Sequence, residues 1–392
     1  MVAALIAGRF EEICVEPDNG PIFFTSMTVP FTLPTLQRVI NAWGTPTPYG
    51  VSRSEAAVAG AAAAMLQRHV VMADLQALAG RELAAWSGAQ AACVTHCTAA
   101  ALSLAAAGCM AGADTAAIAR LPDSSGLRNQ VALLASHDVD YGQPLSQALR
   151  LAGARPLWCA DLPAMASALA GGGVACVLAV ESHLAPGSGP ALTRKLQALA
   201  RAAGVPLVLD AAAQDWRAQQ LVAAGADLVL LSGQKYLRAP TCGLVLGRTD
   251  LVAAVDAQHR GIGRGMKPSK EALAGLIAAL ALRASDSGGA WRAAQKRKVD
   301  TVAQAISGWQ GVHVERAPDP LGNGSDRLWL TFDAAMLGVD AVAVVEHLKR
   351  GDPVVAVVPH RAAQGAIGLE LTAVDEDELP ELCALLRAAL QP

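Results

Sequence analysis

Between residues 91 and 247, short apolar runs alternate with helical stretches, and this alternation restricts the chain more than any other feature. "AACVT" (91–95) leads into a helix over 98–111, and "QVALLA" (130–135) into "PLSQALRLAG". "ARPLWC" leads into "LPAMASALAG", and "VACVLAV" (174–180) into "ALTRKLQALARAAG". "PLVLDAA" (206–212) leads into "DWRAQQLVAAG", and "DLVLLS" (227–232) is followed by "GLVLGRT". The runs are apolar throughout rather than alternating, so both faces of each strand are expected to be buried. Strand–helix alternation of this kind predicts an α/β fold, with a mostly parallel central sheet flanked by helices. Such sheets bind ligands at the carboxyl ends of their strands. That rule singles out Thr95, His137, Glu181, Asp210 and Ser232, each just after or at the end of an apolar run.

The regions around this core read differently. Residues 1–35 are irregular, with prolines at 17, 21, 30 and 34, whereas 54–87 carry helical periodicity. The segment "SDSGGA" marks a break. Beyond it, "RLWLTFD", a helix around 338–349, "PVVAVVP", "AIGLELT" and a helix over 375–389 predict a small α+β domain. The expected organisation is an N-terminal segment 1–35, a large domain 36–284 and a small C-terminal domain 285–392. A chain of 392 residues with 53% hydrophobic side chains can bury cores of that size. Abundant alanine with only 4% aromatics favours helices packed closely on the sheet.

Charge and cysteine content narrow the function classes. Lys plus Arg number 31 against 34 Asp plus Glu, which leaves no basic footprint for nucleic acid or an anionic membrane. The eight cysteines (14, 93, 97, 109, 159, 176, 242 and 383) show no CxxC spacing and mostly lie in apolar runs. They read as reduced core residues, and no metal site is expected. "MVAALIAGRFEE" lacks a basic n-region, and the apolar stretch 97–113 is mostly alanine and glycine, a buried helix rather than a membrane span. The expectation is a soluble cytoplasmic protein.

The stretch "SGQKYLRAPTCG" (232–243) places a lysine where lysines are rarely useful, in a tight turn straight after a buried strand. Asp210 ends the preceding strand, one strand–helix–strand step earlier, so neighbouring strands would present a carboxylate and an amine at one edge. A lysine beside apolar surface has a lowered pKa, and its free amine can form a Schiff base. Pyridoxal phosphate needs such an amine and a carboxylate for its ring nitrogen. A structural ion pair would account for the same two residues. "THCTAAAL" (95–102) offers Thr95 and Thr98 hydroxyls and free backbone N–H groups at a helix start, an anion seat or an ordinary N-cap. Ser232 adds another hydroxyl. "QHRGIGRGMKPSKE" (258–271) crowds glycines and cations, fit for an anion or for a solvated loop. His137 suits either stacking on a cofactor ring or a hydrogen-bonded loop.

Taken together, these passages resemble the fold-type-I pyridoxal-phosphate enzymes. More narrowly, they resemble the selenocysteine synthase (L-seryl-tRNA seleniumtransferase) superfamily, especially its small-substrate branch that includes D-glucosaminate-6-phosphate ammonia-lyase. The likeness rests on "INAWGTPTPYGVS" (40–52), "LQALAGRELAAWSGAQAACVTHCTAAAL", "VPLVLDAAAQ" with "GADLVLLSGQKYLRAPTCGLVLGR", and "GIGRGMKPSKEALAGLIAAL". The resemblance implies Lys235 as the Schiff-base lysine and Asp210 as the pyridinium partner, with Thr95, Cys97, Thr98 and Ser232 holding the phosphate. It implies Arg264 and Lys267 near a dimer interface, reaching a neighbouring subunit's site, and Ser52, Arg53 and Arg238 near the substrate. Cys97, Gln234 and Ala239 depart from the family's small residue and glycines at those positions. The extra N-terminal helical module of a tRNA-binding selenocysteine synthase is not expected here.

The function expected from this is a pyridoxal-phosphate lyase acting on a small amino acid, with hydroxylated and phosphorylated ones included. It would abstract the α-proton and eliminate water or ammonia. The alternative is a pyridoxal-phosphate transferase, either an aminotransferase or a seleniumtransferase-like enzyme. Arg361 in "VVPHRAAQGAIGLEL", with His360 beside it, is the candidate for the substrate carboxylate. The expected assembly is a homodimer or higher homo-oligomer, with a small-molecule amino acid as partner and neither nucleic acid nor membrane.

Overall fold

The computed structural model describes residues 36–286, 288–320 and 322–391. The expected N-terminal segment 1–35, with Cys14 and the stretch read against a signal peptide, lies outside them. The chain divides into two compact units. The larger comprises Ser52–Leu280 with Pro320–Asn323, and the smaller takes the described residues through Val51, Ala281–Asp319 and the residues from Gly324 onward.

In chain order the strands are β1 (Val39–Ala42), β2 (Ala91–Thr95), β3 (Gln130–Leu134), β4 (Arg155–Cys159), β5 (Val174–Val180), β6 (Leu207–Asp210), β7 (Leu228–Ser232) and β8 (Gly243–Gly247). They continue with β9 (Val312–Pro318), β10 (Asp326–Phe332), β11 (Val354–Val357) and β12 (Ala366–Leu369). The larger unit is built on one seven-stranded sheet, ordered β2-β8-β7-β6-β5-β3-β4. Strands β3 to β7 run parallel. β8 runs antiparallel to both β7 and β2. No helix separates β7 from β8; a parallel return needs a crossover of about a dozen residues or more, usually helical, so the short Lys235 turn reverses the chain.

The uniform apolarity of the strands has the expected consequence. Every residue of β5, β6 and β7 is buried. Val177, Leu207, Leu209, Val229 and Leu231 enter one core cluster, while Cys176, Leu178, Val208, Leu228 and Leu230 enter another. That is the period-2 split of a strand covered on both faces. Each fully buried leucine contributes about 1.5–3 kcal/mol relative to an exposed one. The alanine-rich stretch forms the helix Thr98–Ala111, buried over Ala100–Gly108 and at Met110 and Ala111. Small side chains let it lie close to its neighbours: a Cβ on Gly108 would sit 3.0 Å from the backbone nitrogen of Val255. Among the described residues no helix is long and apolar enough to cross a membrane.

The smaller unit holds the three-stranded antiparallel sheet β12-β10-β9 and a separate parallel pair, β1 with β11. Ile40, Val302, Leu330 and Leu382 share its core. This differs from the sequence expectation for 36–51, which was grouped with the large domain 36–284. Val39 pairs with Val354, and four residues with so distant a partner leave no local signal.

Two glycines test this packing. Gly60, in the exposed helix Ala56–Leu66, has open space where a Cβ would go, whereas a Cβ on Gly80 would lie 2.6 Å from the Ala92 carbonyl oxygen of β2. Gly60→Ala is expected to stabilise by about 0.8–1 kcal/mol through helix propensity alone. Gly80→Ala is expected to lose about 1–3 kcal/mol, because overlap with backbone outweighs the same gain. Urea midpoints of the two variants check both signs.

Candidate active site

β7 delivers the chain to Ser232, and the next ten residues form a closed turn. The Gly233 N–H donates to Cys242 O at 2.9 Å, the Ala239 N–H to Gly233 O at 2.9 Å, and the Arg238 N–H to Lys235 O at 3.1 Å. Two side chains pin Gln234 next to the lysine. Ser52 Oγ donates to its carbonyl at 2.6 Å, and Thr241 Oγ1 donates to its Oε1 at 2.6 Å. Arg238 adopts φ 58°, a left-handed conformation that is uncommon outside glycine and that tightens the turn. Lys235 itself is half-buried. Desolvation lowers its pKa from 10.5, and the carboxylates of Asp210 and Asp215 oppose that shift.

Asp210 is the last residue of β6, on the strand next to β7, and is 6% exposed. Burial raises its pKa, while Lys235 and the Ala212 N–H, at 3.2 Å, pull it back. The two residues therefore lie at one carboxyl edge, close enough for each charge to act on the other's pKa. Asp215, buried in the short turn Asp215–Arg217, adds a second carboxylate that acts on Lys235.

One strand over, Glu181 follows β5 and donates its N–H to Asp210 O at 2.8 Å. Its carboxylate accepts from Arg217 Nη1 at 2.9 Å, and the same nitrogen donates to Gln214 Oε1 at 3.2 Å. Tyr141 brings a hydroxyl to this edge. The residue is 55% exposed overall; partial desolvation and the nearby Asp210 carboxylate raise its pKa, against a hydrogen bond with Ser182. His137 is 1% exposed; its Nδ1 accepts the Val180 N–H at 3.0 Å, and its Nε2 has no partner among the described residues.

The expected anion seat is assembled at the start of the helix Thr98–Ala111. Cys97 is its N-cap, with Sγ accepting the Ala100 N–H at 3.5 Å. Thr98 Oγ1 donates to Leu231 O at 3.3 Å, which ties the helix to the end of β7. Buried Ser232 pairs with Gly243 of β8. A Cβ on Gly243 would overlap Cys97 O and Thr95 Oγ1, so only glycine leaves room for this loop. Thr95 departs from the expectation. It is fully buried, and its hydroxyl donates to Cys97 O at 2.9 Å, so it braces the loop from beneath instead of presenting a hydroxyl to a ligand. The glycine–arginine segment is joined to this loop by the His96 N–H donating to Met266 O at 2.7 Å, and Arg264 and Lys267 are exposed.

The remaining candidates are placed as follows. Arg238 pairs with Glu55 at 2.5 Å. Arg53 is exposed. Arg361 lies in the smaller unit, with its guanidinium stacked on the Trp329 ring at 4.0 Å. His360 is beside it, in edge contact with Trp43. Among the described residues no group of His, Cys, Asp and Glu could hold a metal. The sequence reading missed Tyr141, Gln214, Asp215 and Arg217. The last three follow Asp210 in "DAAAQDWR", and the clue was the density of polar residues straight after a buried strand.

The hydrogen bond from Val180 requires a lone pair on His137 Nδ1, and burial lowers the ring's pKa from 6.5. A depressed folded-state pKa contributes stability that is present above 6.5 and is lost as pH falls through the lower folded value. Unfolding temperatures are therefore expected to drop as pH is lowered below 6.5. His137→Asn, which keeps an acceptor but does not titrate, is expected to flatten that part of the profile in a thermal-melt series.

No family model matches the chain. It is 34% identical over 357 residues to the D-glucosaminate-6-phosphate ammonia lyase of Salmonella typhimurium, covering 90% of this chain and 95% of that one. It is 33% identical to a 5'-C-glycyluridine monooxygenase-decarboxylase of a Streptomyces species, over 86% of each. An L-seryl-tRNA(Sec) selenium transferase of Yersinia pestis matches only 64 residues, at 41% identity, over 16% of this chain and 13% of its own. The solved structure of a D-glucosaminate-6-phosphate ammonia-lyase superposes with a TM-score of 0.83 at 33% identity, covering 91% of this chain and 96% of its own. Likeness of this extent, on a sheet whose edge presents Asp210 and Lys235, means that the chain belongs to the D-glucosaminate-6-phosphate ammonia-lyase family of the selenocysteine synthase superfamily.

Proposed function

We propose that the protein is a pyridoxal-phosphate-dependent lyase that removes ammonia or water from a small amino acid, phosphorylated or hydroxylated substrates included. The observation that carries this reading is buried Asp210 at the end of β6 and half-buried Lys235 in the turn after the neighbouring β7, with both pKa values displaced by desolvation. The residues present fit pyridoxal phosphate. A shielded amine and a shielded carboxylate share one edge, and the glycine-limited loop before the helix Thr98–Ala111 offers an anion a seat with backbone N–H groups. When bound, the cofactor supplies an electron sink for negative charge at the substrate's Cα.

The chain's own residues would do the rest. Lys235 would be the covalent anchor, and its Nζ, with a pKa lowered by desolvation, would accept the proton from the substrate's Cα. Asp210 would hold a proton on the cofactor's ring nitrogen. Cys97, Thr98, Ser232 and the first turn of the helix would hold its phosphate. His137 would offer it a neutral imidazole, since Nδ1 accepts the Val180 N–H. The lyase reading is preferred to a transferase because the ammonia-lyase match spans nearly the whole chain, whereas the selenium transferase match spans 64 residues.

Incubation with D-glucosaminate 6-phosphate and with smaller amino acids should release ammonia and a keto acid from at least one of them. Consumption of oxygen without ammonia release would overturn the reading. Lys235→Ala is expected to purify folded and without covalently held cofactor, as seen by absorbance and intact mass. Asp210→Asn is expected to keep the covalent cofactor and lose at least about a hundredfold in kcat.

A homodimer that shares sites across its subunits belongs to the same proposal. It is supported by exposed Arg264 and Lys267 on a segment bonded to the anion loop. Mixing Arg264→Ala with Lys235→Ala subunits is expected to restore part of the activity. Failure to complement at every ratio would place each site within one chain.

A further inference from the structure

A cavity of about 270 Å³ opens at the carboxyl edge of β5 and is lined by Glu181, Ser182, Ser188, Gln214 and Arg217 among others. A single ordered water needs only ~10–15 Å³, so there is room for several heavy atoms. Its position ties it to the site, because Glu181 is bonded through its N–H to Asp210 O. Two side chains in its wall have unused hydrogen-bonding capacity. Glu181 is 5% exposed on its side chain, and its Oε2 has no partner among the described residues. Arg217 spends Nη1 on Glu181 and Gln214, while Nε and Nη2 have no partner among the described residues.

An acceptor and a donor fork side by side restrict the ligand. A second anion would be drawn to Arg217 but would meet the Glu181 carboxylate, which already neutralises it at 2.9 Å. A hydrophobic group would leave both unsatisfied, which is unfavourable for buried polar groups. A hydroxyl satisfies both, donating to Glu181 Oε2 and accepting from Arg217. Ser182 and Ser188 add hydroxyl groups to the same wall, with Ser188 Oγ held on Ser182 O at 2.6 Å.

We propose that this cavity is a hydroxyl-recognising subsite, in which Glu181 and Arg217 bind a hydroxyl-bearing carbon of the substrate beyond Cβ and select against short amino acids. The proposal rests on the lyase reading only for the reacting carbon lying beside Lys235.

The test is calorimetric and uses the holoenzyme with ligands that lack an amino group and cannot react. D-Gluconate and lactate share a carboxylate and a C2 hydroxyl, but only gluconate carries hydroxyls further along the chain. Gluconate is expected to bind at least about tenfold more tightly than lactate. The double variant Glu181→Leu/Arg217→Leu removes both charges together, so neither is left unpaired. It is expected to keep its covalent cofactor and bring the two affinities to within about threefold of each other. Equal binding of gluconate and lactate by the unmodified protein overturns the subsite, and that comparison needs no variant. Gluconate binding no tighter than lactate, with inorganic phosphate displacing 6-phosphogluconate from the unmodified protein but not from the double variant, also overturns it and assigns the cavity to an anion. Release of ammonia with indifferent gluconate binding sinks the subsite and leaves the lyase standing. Selective gluconate binding without ammonia release from any amino acid does the reverse.

Discussion

The buried carboxylate of Asp210 and the half-buried amine of Lys235, brought to one sheet edge, are the constraint on which much of this molecule depends. Desolvation works against both: it raises the pKa of Asp210 and lowers that of Lys235. Their mutual attraction offsets that cost only when geometry is fixed, since removing either partner leaves a buried charge without compensation. Much of the surrounding architecture reads as a way of fixing it. Adjacent parallel strands β6 and β7 bring the two residues to one edge. The turn after β7 is closed by backbone bonds at Gly233 and Ala239, and Ser52 and Thr241 hold Gln234. Arg238 takes up a left-handed conformation within that turn. Strained backbone of this kind persists only where its surroundings over-determine it, and here they do.

Small side chains set how closely the parts can approach. The helix Thr98–Ala111 is mostly alanine and glycine, so its axis can lie near the sheet and near the helix Thr249–Ala257. That closeness puts its first turn beside the end of β7, where Thr98 bonds Leu231 O. A larger residue at Gly243 would push the loop and its N–H groups outward. Composition, which seems remote from chemistry, thus decides where an anion can sit.

The sequence exposed those features that depend on local pattern. Continuous apolar runs predicted strands covered on both faces, and β5 to β7 are. A polar residue at the end of such a run is conspicuous, which is why Asp210, Lys235 and Glu181 were visible. What depends on tertiary partners was not legible. β1 is four residues whose pairing partner is β11. The ion pair of Arg238 with Glu55 left no trace in the sequence. Thr95 looked like a ligand hydroxyl, but it donates its hydrogen bond to the Cys97 carbonyl. Arg217 and Asp215 sit in a short turn whose direction no periodicity reveals, and only the folded chain aims them at the edge.

Relatives with different names share this scaffold at similar identity: an ammonia lyase on one side and a monooxygenase-decarboxylase on the other. Their names include a phosphorylated amino sugar acid and a glycyluridine. A buried amine and carboxylate suit any chemistry that begins with charge developing at a substrate carbon, so this pair does not distinguish one reaction from another. Discrimination has to come from groups that meet the rest of the substrate. Glu181 and Arg217, in the wall of the cavity beside β5, are groups near the pair that keep unused hydrogen-bonding capacity among the described residues. Burying a carboxylate oxygen without a partner is costly to stability. A fold that keeps one at the edge of its reactive pair has a cost that ligand binding can recover, and only for a ligand that supplies the missing donor.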